Sequence, residues 1–228
     1  MAAAAFAVGV GASMAQTVYS VNAVGYVNLT LKTGYNLIAN PLNGTNNNVN
    51  TIMPVAPNGA KFIRWNQPLQ TFFPSVEYFD VGIPDENGWY EGEFKSPQTI
   101  APGEAFFVQI PQPINNYVMT FVGEVPQGNL TNTISANYSF VSSIVPQSVA
   151  IESTGFPGSA GMKYIEWNPL NQAYTPSIEY FVVPEDPSQN GFYNTIGDRV
   201  FPTPAVGQGF VIQNFGPALS WGRTFSVN

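Results

Sequence analysis

Lys61-Phe-Ile-Arg-Trp-Asn66 and Lys163-Tyr-Ile-Glu-Trp-Asn168 are one hexapeptide pattern written twice, 102 residues apart. Pro74-Ser-Val-Glu-Tyr-Phe79 returns at the same offset as Pro176-Ser-Ile-Glu-Tyr-Phe181. Between Lys61–Phe79 and Lys163–Phe181 ten of nineteen positions are identical, where average composition gives about one by chance. A period of this length marks a duplicated structural unit.

The register extends in both directions with slips of a residue or two. Tyr35-Asn-Leu-Ile-Ala39 answers to Tyr138-Ser-Phe-Val-Ser142, and Gly88-Trp89-Tyr90 to Gly191-Phe192-Tyr193. Ala101-Pro-Gly-Glu-Ala-Phe-Phe-Val-Gln109 answers to Ala205-Val-Gly-Gln-Gly-Phe-Val-Ile-Gln213. The repeats therefore run over residues 16–126 and 127–228. Residues 1–15, small and apolar and ending in Ser13-Met14-Ala15, read as the remnant of a secretory signal peptide. Export, to the medium or the cell surface, is the expectation.

Within each repeat the signal is β. The chain's 21 glycines and 20 prolines interrupt any helical run of useful length. Short alternating stretches lie between them: Ile63 and Trp65 face one way, Arg64 and Asn66 the other, and Met119, Phe121 and Val125 alternate with Thr120 and Glu124. Pro57-Asn-Gly59 and Pro84-Asp-Glu-Asn-Gly88 supply turn chemistry. Many short strands with such turns predict an all-β protein, two tandem homologous β-sandwich-like domains packed end to end.

Composition narrows the chemistry. Only 9% of the residues are charged and the net charge is −7. The seven basic residues are scattered, so there is no stripe to neutralise phosphates, and neither nucleic acid nor an anionic membrane is an expected partner. No stretch has the length of a membrane-spanning helix. The chain has no cysteine and no histidine, which removes thiol nucleophiles, disulfides, His-based triads and His-ligated zinc. No cofactor motif occurs. The remaining enzymatic route is a carboxylate pair such as the repeat-equivalent Glu77 and Glu179, and no acid–base motif surrounds them, so no enzymatic activity is expected.

Tyr19-Ser-Val-Asn-Ala-Val-Gly-Tyr-Val-Asn28, Gly34-Tyr-Asn-Leu-Ile-Ala-Asn-Pro-Leu42 and Phe121-Val-Gly-Glu-Val-Pro-Gln-Gly128 resemble segments of secreted bacterial tandem-β-motif proteins. These proteins are largely uncharacterised, and some are thought to build extracellular nanofibres. The resemblance implies a secreted β-rich chain that assembles with itself. It brings no catalytic residues.

Four sets of residues are candidates for function. Trp89-Tyr90 and Phe192-Tyr193 follow turn glycines, where aromatic faces could hold a glycan or another small ligand. Their competing reading is core; for Trp65 and Trp167, which alternate with Arg64/Glu166 and Asn66/Asn168, core is the expected one. Seven of the fourteen acids fall between Glu77 and Glu104, which makes Asp80, Asp85 and Glu86 candidate cation ligands. They lack ligand spacing, and a solvated acidic face is the plainer reading. Asn28, Asn43, Asn129 and Asn137 head N-x-S/T sequons and are candidate glycosylation sites.

The fourth set concerns assembly. The chain is cut inside a passage that runs continuously between its own repeats, so one copy's C-terminus could meet the next copy's N-terminus head to tail. Val21, Val24, Tyr26, Val27 and Leu29 would then add a strand to an edge near Trp221, Phe225 and Val227 of a neighbour. The alternative is that the N-terminal strand folds back on its own chain. A self-assembling structural protein is the expected function, with a carbohydrate- or small-ligand-binding module as the alternative.

Overall fold

A computed structural model describes residues 23–227. The expected leader, residues 1–15, and Val21 lie outside the described residues. The first repeat contains β1 (Val24–Leu31), β2 (Gly34–Ala39), a single helical turn α1 (Val49–Ile52), β3 (Lys61–Asn66), β4 (Thr71–Phe72), β5 (Val76–Phe79), β6 (Gly88–Glu91), β7 (Phe94–Lys95), β8 (Ala105–Ile110) and β9 (Tyr117–Glu124). The second contains β10 (Gly128–Ile134), β11 (Asn137–Val141), β12 (Lys163–Ile165), β13 (Trp167–Asn168), β14 (Ala173–Tyr174), β15 (Ile178–Phe181), β16 (Gly191–Tyr193), β17 (Arg199–Val200), β18 (Phe210–Asn214) and β19 (Leu219–Phe225). The protein is all-β, and every strand pair is antiparallel.

The strand orders coincide. The first main sheet runs β2-β8-β3-β5-β6-β7 and the second β11-β18-β12-β15-β16-β17, which is the same path in repeat numbering. Each half adds a two-stranded ribbon from its first and last strands, β1 with β9 and β10 with β19. A β4 or β14 hairpin folds back on the end of β3 or on β13.

Each ribbon covers one face of its own sheet. In the first half Leu31, Met119 and Phe121 of the ribbon pack with Phe62, Val76, Tyr78, Trp89, Phe106 and Val108 of the sheet, and Val49, Ile52 and Met53 close the side. In the second half Ile134 and Trp221 meet Tyr164, Phe192, Phe210 and Ile212, with Ile151 and Phe156 in the place of the helical turn. Phe106 and Phe210, repeat equivalents, are both fully buried.

The other face of each sheet is apolar as well, and there the halves meet. Leu37, Ala39, Ala105 and Phe107 of the first sheet pack on Phe140 and Val211 of the second, flanked by Ile63, Trp65, Ile165 and Trp167. The halves are therefore stacked sheet on sheet, not end to end as the sequence suggests. Repeats alone cannot fix this, because a strand buried on both faces loses the alternation that would tell a core face from a docking face. β8 is such a strand: Ala105, Phe106, Phe107 and Val108 are all buried, alternately toward the seam and toward the half's own core.

Candidate functional site: the seam between the halves

The seam has pseudo-twofold symmetry, and the repeated Trp-Asn hexapeptide makes it. Trp65 Nε1 donates to the Tyr138 carbonyl at 3.2 Å, and Trp167 Nε1 donates to the Tyr35 carbonyl at 2.8 Å. Tyr35 and Tyr138 are repeat equivalents on β2 and β11, outermost strands whose free edges need partners. Two glutamine side chains supply them. The Gln172 amide accepts from Tyr35 N at 2.7 Å and donates to its carbonyl at 3.0 Å. Gln70 does the same for Tyr138, at 2.8 and 3.0 Å. Both glutamines sit in tight turns with φ of 51° and 50°.

Farther along, Ala39 N donates to Gly207 O at 2.9 Å and Ser142 N to Gly103 O at 2.8 Å. Both glycines have positive φ, and a Cβ on Gly207 would lie 2.8 Å from Leu29. A side chain at this turn would crowd Leu29 of the first half's ribbon and strain a backbone held at positive φ.

Around the pseudo-axis the rings gather. Phe107 is met edge-on by Trp167 at 5.1 Å, Tyr35 at 6.0 Å and Tyr174 at 6.5 Å, and at a tilt by Phe72 at 6.0 Å. Trp65 packs on Phe140 at 4.8 Å and on Phe72 at 4.9 Å. An open cleft of about 460 Å³ lies beside them, lined by Trp65, Phe72, Tyr138, Phe140, Tyr174 and Val211. Burial against this apolar lining pushes the Tyr174 hydroxyl up to about 12. Tyr164, in the second core, is raised as well, by burial and by the Glu166 carboxylate to which its hydroxyl donates at 2.7 Å.

The sign of the pH effect follows. A phenol whose folded-state value lies above its unfolded 10.0 stabilises the fold fully below pH 10, and the contribution is lost as pH rises toward about 12. Stability should fall over that window, and Tyr174→Phe should make the fall shallower. Urea midpoints measured at stepped alkaline pH check this, and identical slopes for both proteins would contradict it.

The predicted site residues are scattered. Trp89 and Phe192 are fully buried, so they are core residues and not ligand platforms. Turn glycines precede them, but their strands face the ribbons. Tyr90 and Tyr193 are half-buried and anchor loops: their hydroxyls donate to the carbonyls of Glu86 and Gln189. Trp65 and Trp167, expected in the cores, belong to the seam.

Asp80, Asp85 and Glu86 are exposed, and Asp80 Oδ1 accepts from Gly82 N at 3.0 Å. Among the described residues no three carboxylates converge on a cation site. Glu77 stands opposite Lys61 on β3 and Glu179 opposite Lys163 on β12, each in its own sheet. The four sequon asparagines are exposed, with Asn28 Oδ1 accepting from Thr120 and Asn129 Oδ1 from Thr224.

The assembly residues divide. β1 pairs with β9 of its own chain from Val24↔Glu124 to Leu31↔Tyr117, and β19 pairs with β10 from Gly128↔Phe225 to Ile134↔Leu219. The folded-back alternative is thus the one present over these residues, with the backbone groups that face the partner strand satisfied within the chain. Trp221 is 3% exposed and donates to Thr154, Val27 and Leu29 pack on the first core, and Phe225 lies under Arg223. Only Val24, Tyr26 and Val227 of the described set are exposed.

Exposed apolar side chains are spread over the surface, and some stand at the outer sheet edges. β11 lies over β3 and β13 over β2, so the two sheets run in opposite senses across the seam. They carry β7 and β17 away from it at opposite ends. At those outer edges Phe94 is 78% exposed, Ile196 82% and Phe201 57%. Sequence reading missed them because single apolar residues in turns and two-residue strands carry no periodicity.

No family model, curated protein or solved structure matches the chain. Among the described residues no helix is long and apolar enough to cross a membrane, which leaves strand-built crossings unaddressed.

Proposed function

We propose that this is a secreted structural protein, a bivalent subunit that joins its own kind head to tail in an extracellular filament or layer. The observation that carries the reading is one sheet edge, repeated at opposite ends of the molecule, with exposed apolar residues at each. An edge strand with free backbone groups is a template for another strand. A joint between two different ends leaves one end of each kind free, so it propagates, as a filament where the rotation between copies does not close a ring. Duplication supplies the two ends within a single chain.

The basic residues on these edges are tied to carbonyls of their own chain. A lysine on an edge ordinarily blocks pairing, but Lys95 Nζ donates to the Asp85 carbonyl at 2.7 Å. Arg199 donates to the carbonyls of Ser188 and Asn190, each at 2.8 Å. Asp85, Glu86, Glu91 and Glu93 surround the β7 edge and are exposed. They make a β7-to-β7 joint repulsive and favour β7 against β17. A surface with 9% charged residues in the whole chain has little else to keep copies apart.

Binding of a small ligand is the second reading, favoured by the aromatic cleft at the seam. The two readings differ in what purified protein does alone. Negative-stain images without any added ligand should contain extended, repeating assemblies whose abundance rises with concentration. Isolated particles at every concentration would remove the structural reading.

A further inference from the structure

The geometry points to the seam cleft as a binding site for one aromatic ring, a role independent of assembly. The pseudo-twofold supplies the argument, because the equivalent place on the other side of the axis is already occupied. There the phenyl ring of Phe107 is enclosed by Tyr35, Phe72, Trp167 and Tyr174. The repeat counterparts of those four are Tyr138, Tyr174, Trp65 and Phe72, and all four line the open cleft. Val211 stands in it where Phe107 would be.

The decisive exchange is Val211 for Phe107, which removes the central ring. Phe140, in place of Leu37, brings a ring to this side but packs it on Trp65, Phe72 and Phe107, at 4.8, 5.3 and 6.1 Å. The side that lacks the central ring is the open one. What fits there is what fits on the closed side: a flat ring presented to aromatic edges and faces, which favour it over a saturated ring of the same size.

The polar groups of the cleft argue against a sugar. Trp65 Nε1 is committed to the Tyr138 carbonyl, the Tyr138 hydroxyl accepts from Gln213 Nε2 at 3.0 Å, and Thr175 Oγ1 bonds the Glu166 backbone. The Tyr174 and Ser177 hydroxyls and the Tyr138 O–H are what remain, too few for a ring of hydroxyls, and a site of this kind selects by shape and apolar contact.

The test uses the full chain and three probes: p-cresol, 4-methylcyclohexanol as its saturated counterpart, and methyl β-glucoside. Binding is read from the Trp65 indole N–H and Val211 methyl resonances. p-Cresol should bind with one equivalent, about tenfold more tightly than 4-methylcyclohexanol, with no response to the glucoside. Val211→Phe, which installs the residue found across the axis, should abolish binding while the melting temperature holds or rises. Phe107→Val should open the second side and raise the stoichiometry to two. The proposal is overturned if wild-type protein ignores p-cresol, if Val211→Phe binds it undiminished, or if the glucoside or saturated ring binds as well as the aromatic.

Discussion

Replacing Trp89 with alanine should cost ~3–5 kcal/mol, the range for removing a large buried aromatic side chain, and a whole domain of ordinary stability holds only about 5–15. Trp89 is wholly inaccessible, and its ring meets Tyr78 at 5.4 Å and Phe62 at 6.3 Å. Its indole N–H donates to the Met53 carbonyl at 2.7 Å, fixing the end of the helical turn. Alanine would leave a cavity and an unpaired buried carbonyl together. The second half suggests a control. There Phe192 holds the equivalent place, equally buried, against Tyr180 at 5.2 Å and Tyr164 at 5.9 Å. Trp89→Phe should therefore be much milder than Trp89→Ala. Urea denaturation of the two variants decides it, and similar midpoints would mean that Trp89 is not the core residue described.

That a presumed ligand platform is core illustrates where sequence reading stopped. The constant offset between the two hexapeptides identified the duplication, and the strand orders of the halves repeat accordingly. The alternation of Ile63 and Trp65 against Arg64 and Asn66 correctly separated the two faces of β3. What it could not say was which face met which layer. Each sheet is covered on both sides, by its own ribbon and by the other half, so apolar residues on either face look alike. Trp65 could be placed on a face, but not in the seam. Trp89 follows a turn glycine, which signals a strand start and not exposure.

The seam itself left a partial trace. Tyr35 and Tyr138, Trp65 and Trp167, Gln70 and Gln172 can all be aligned by eye, and each pair makes the same contact twice. The mismatch of Phe107 with Val211 is also visible in the alignment. Its consequence is not, because the cleft needs the pseudo-axis to bring Tyr138 and Tyr174, far apart in the chain, onto one wall. The outer edges had the weakest signal. Phe94 opens β7 and Ile196 lies in the turn before β17, so they do not align residue for residue, and only their places at the outer ends of two oppositely running sheets relate them.

Bivalency gives the second large effect, since blocking one end of a two-ended subunit changes a polymer into something countable. Phe94→Lys puts a charge on the β7 edge and Ile196→Lys on the β17 side, both at highly exposed positions where substitution disturbs stability by no more than about 0.5 kcal/mol. A head-to-tail joint needs one intact end of each kind from different copies. Sedimentation velocity over a concentration series measures this directly. Wild-type protein should form species that grow with concentration, and either variant alone should remain monomeric. An equimolar mixture of the two variants should form dimers and stop, because each dimer has one good edge of each kind buried and two blocked edges outside. A wild-type protein that sediments as one monomer at every concentration, or single variants that assemble as it does, would contradict the account.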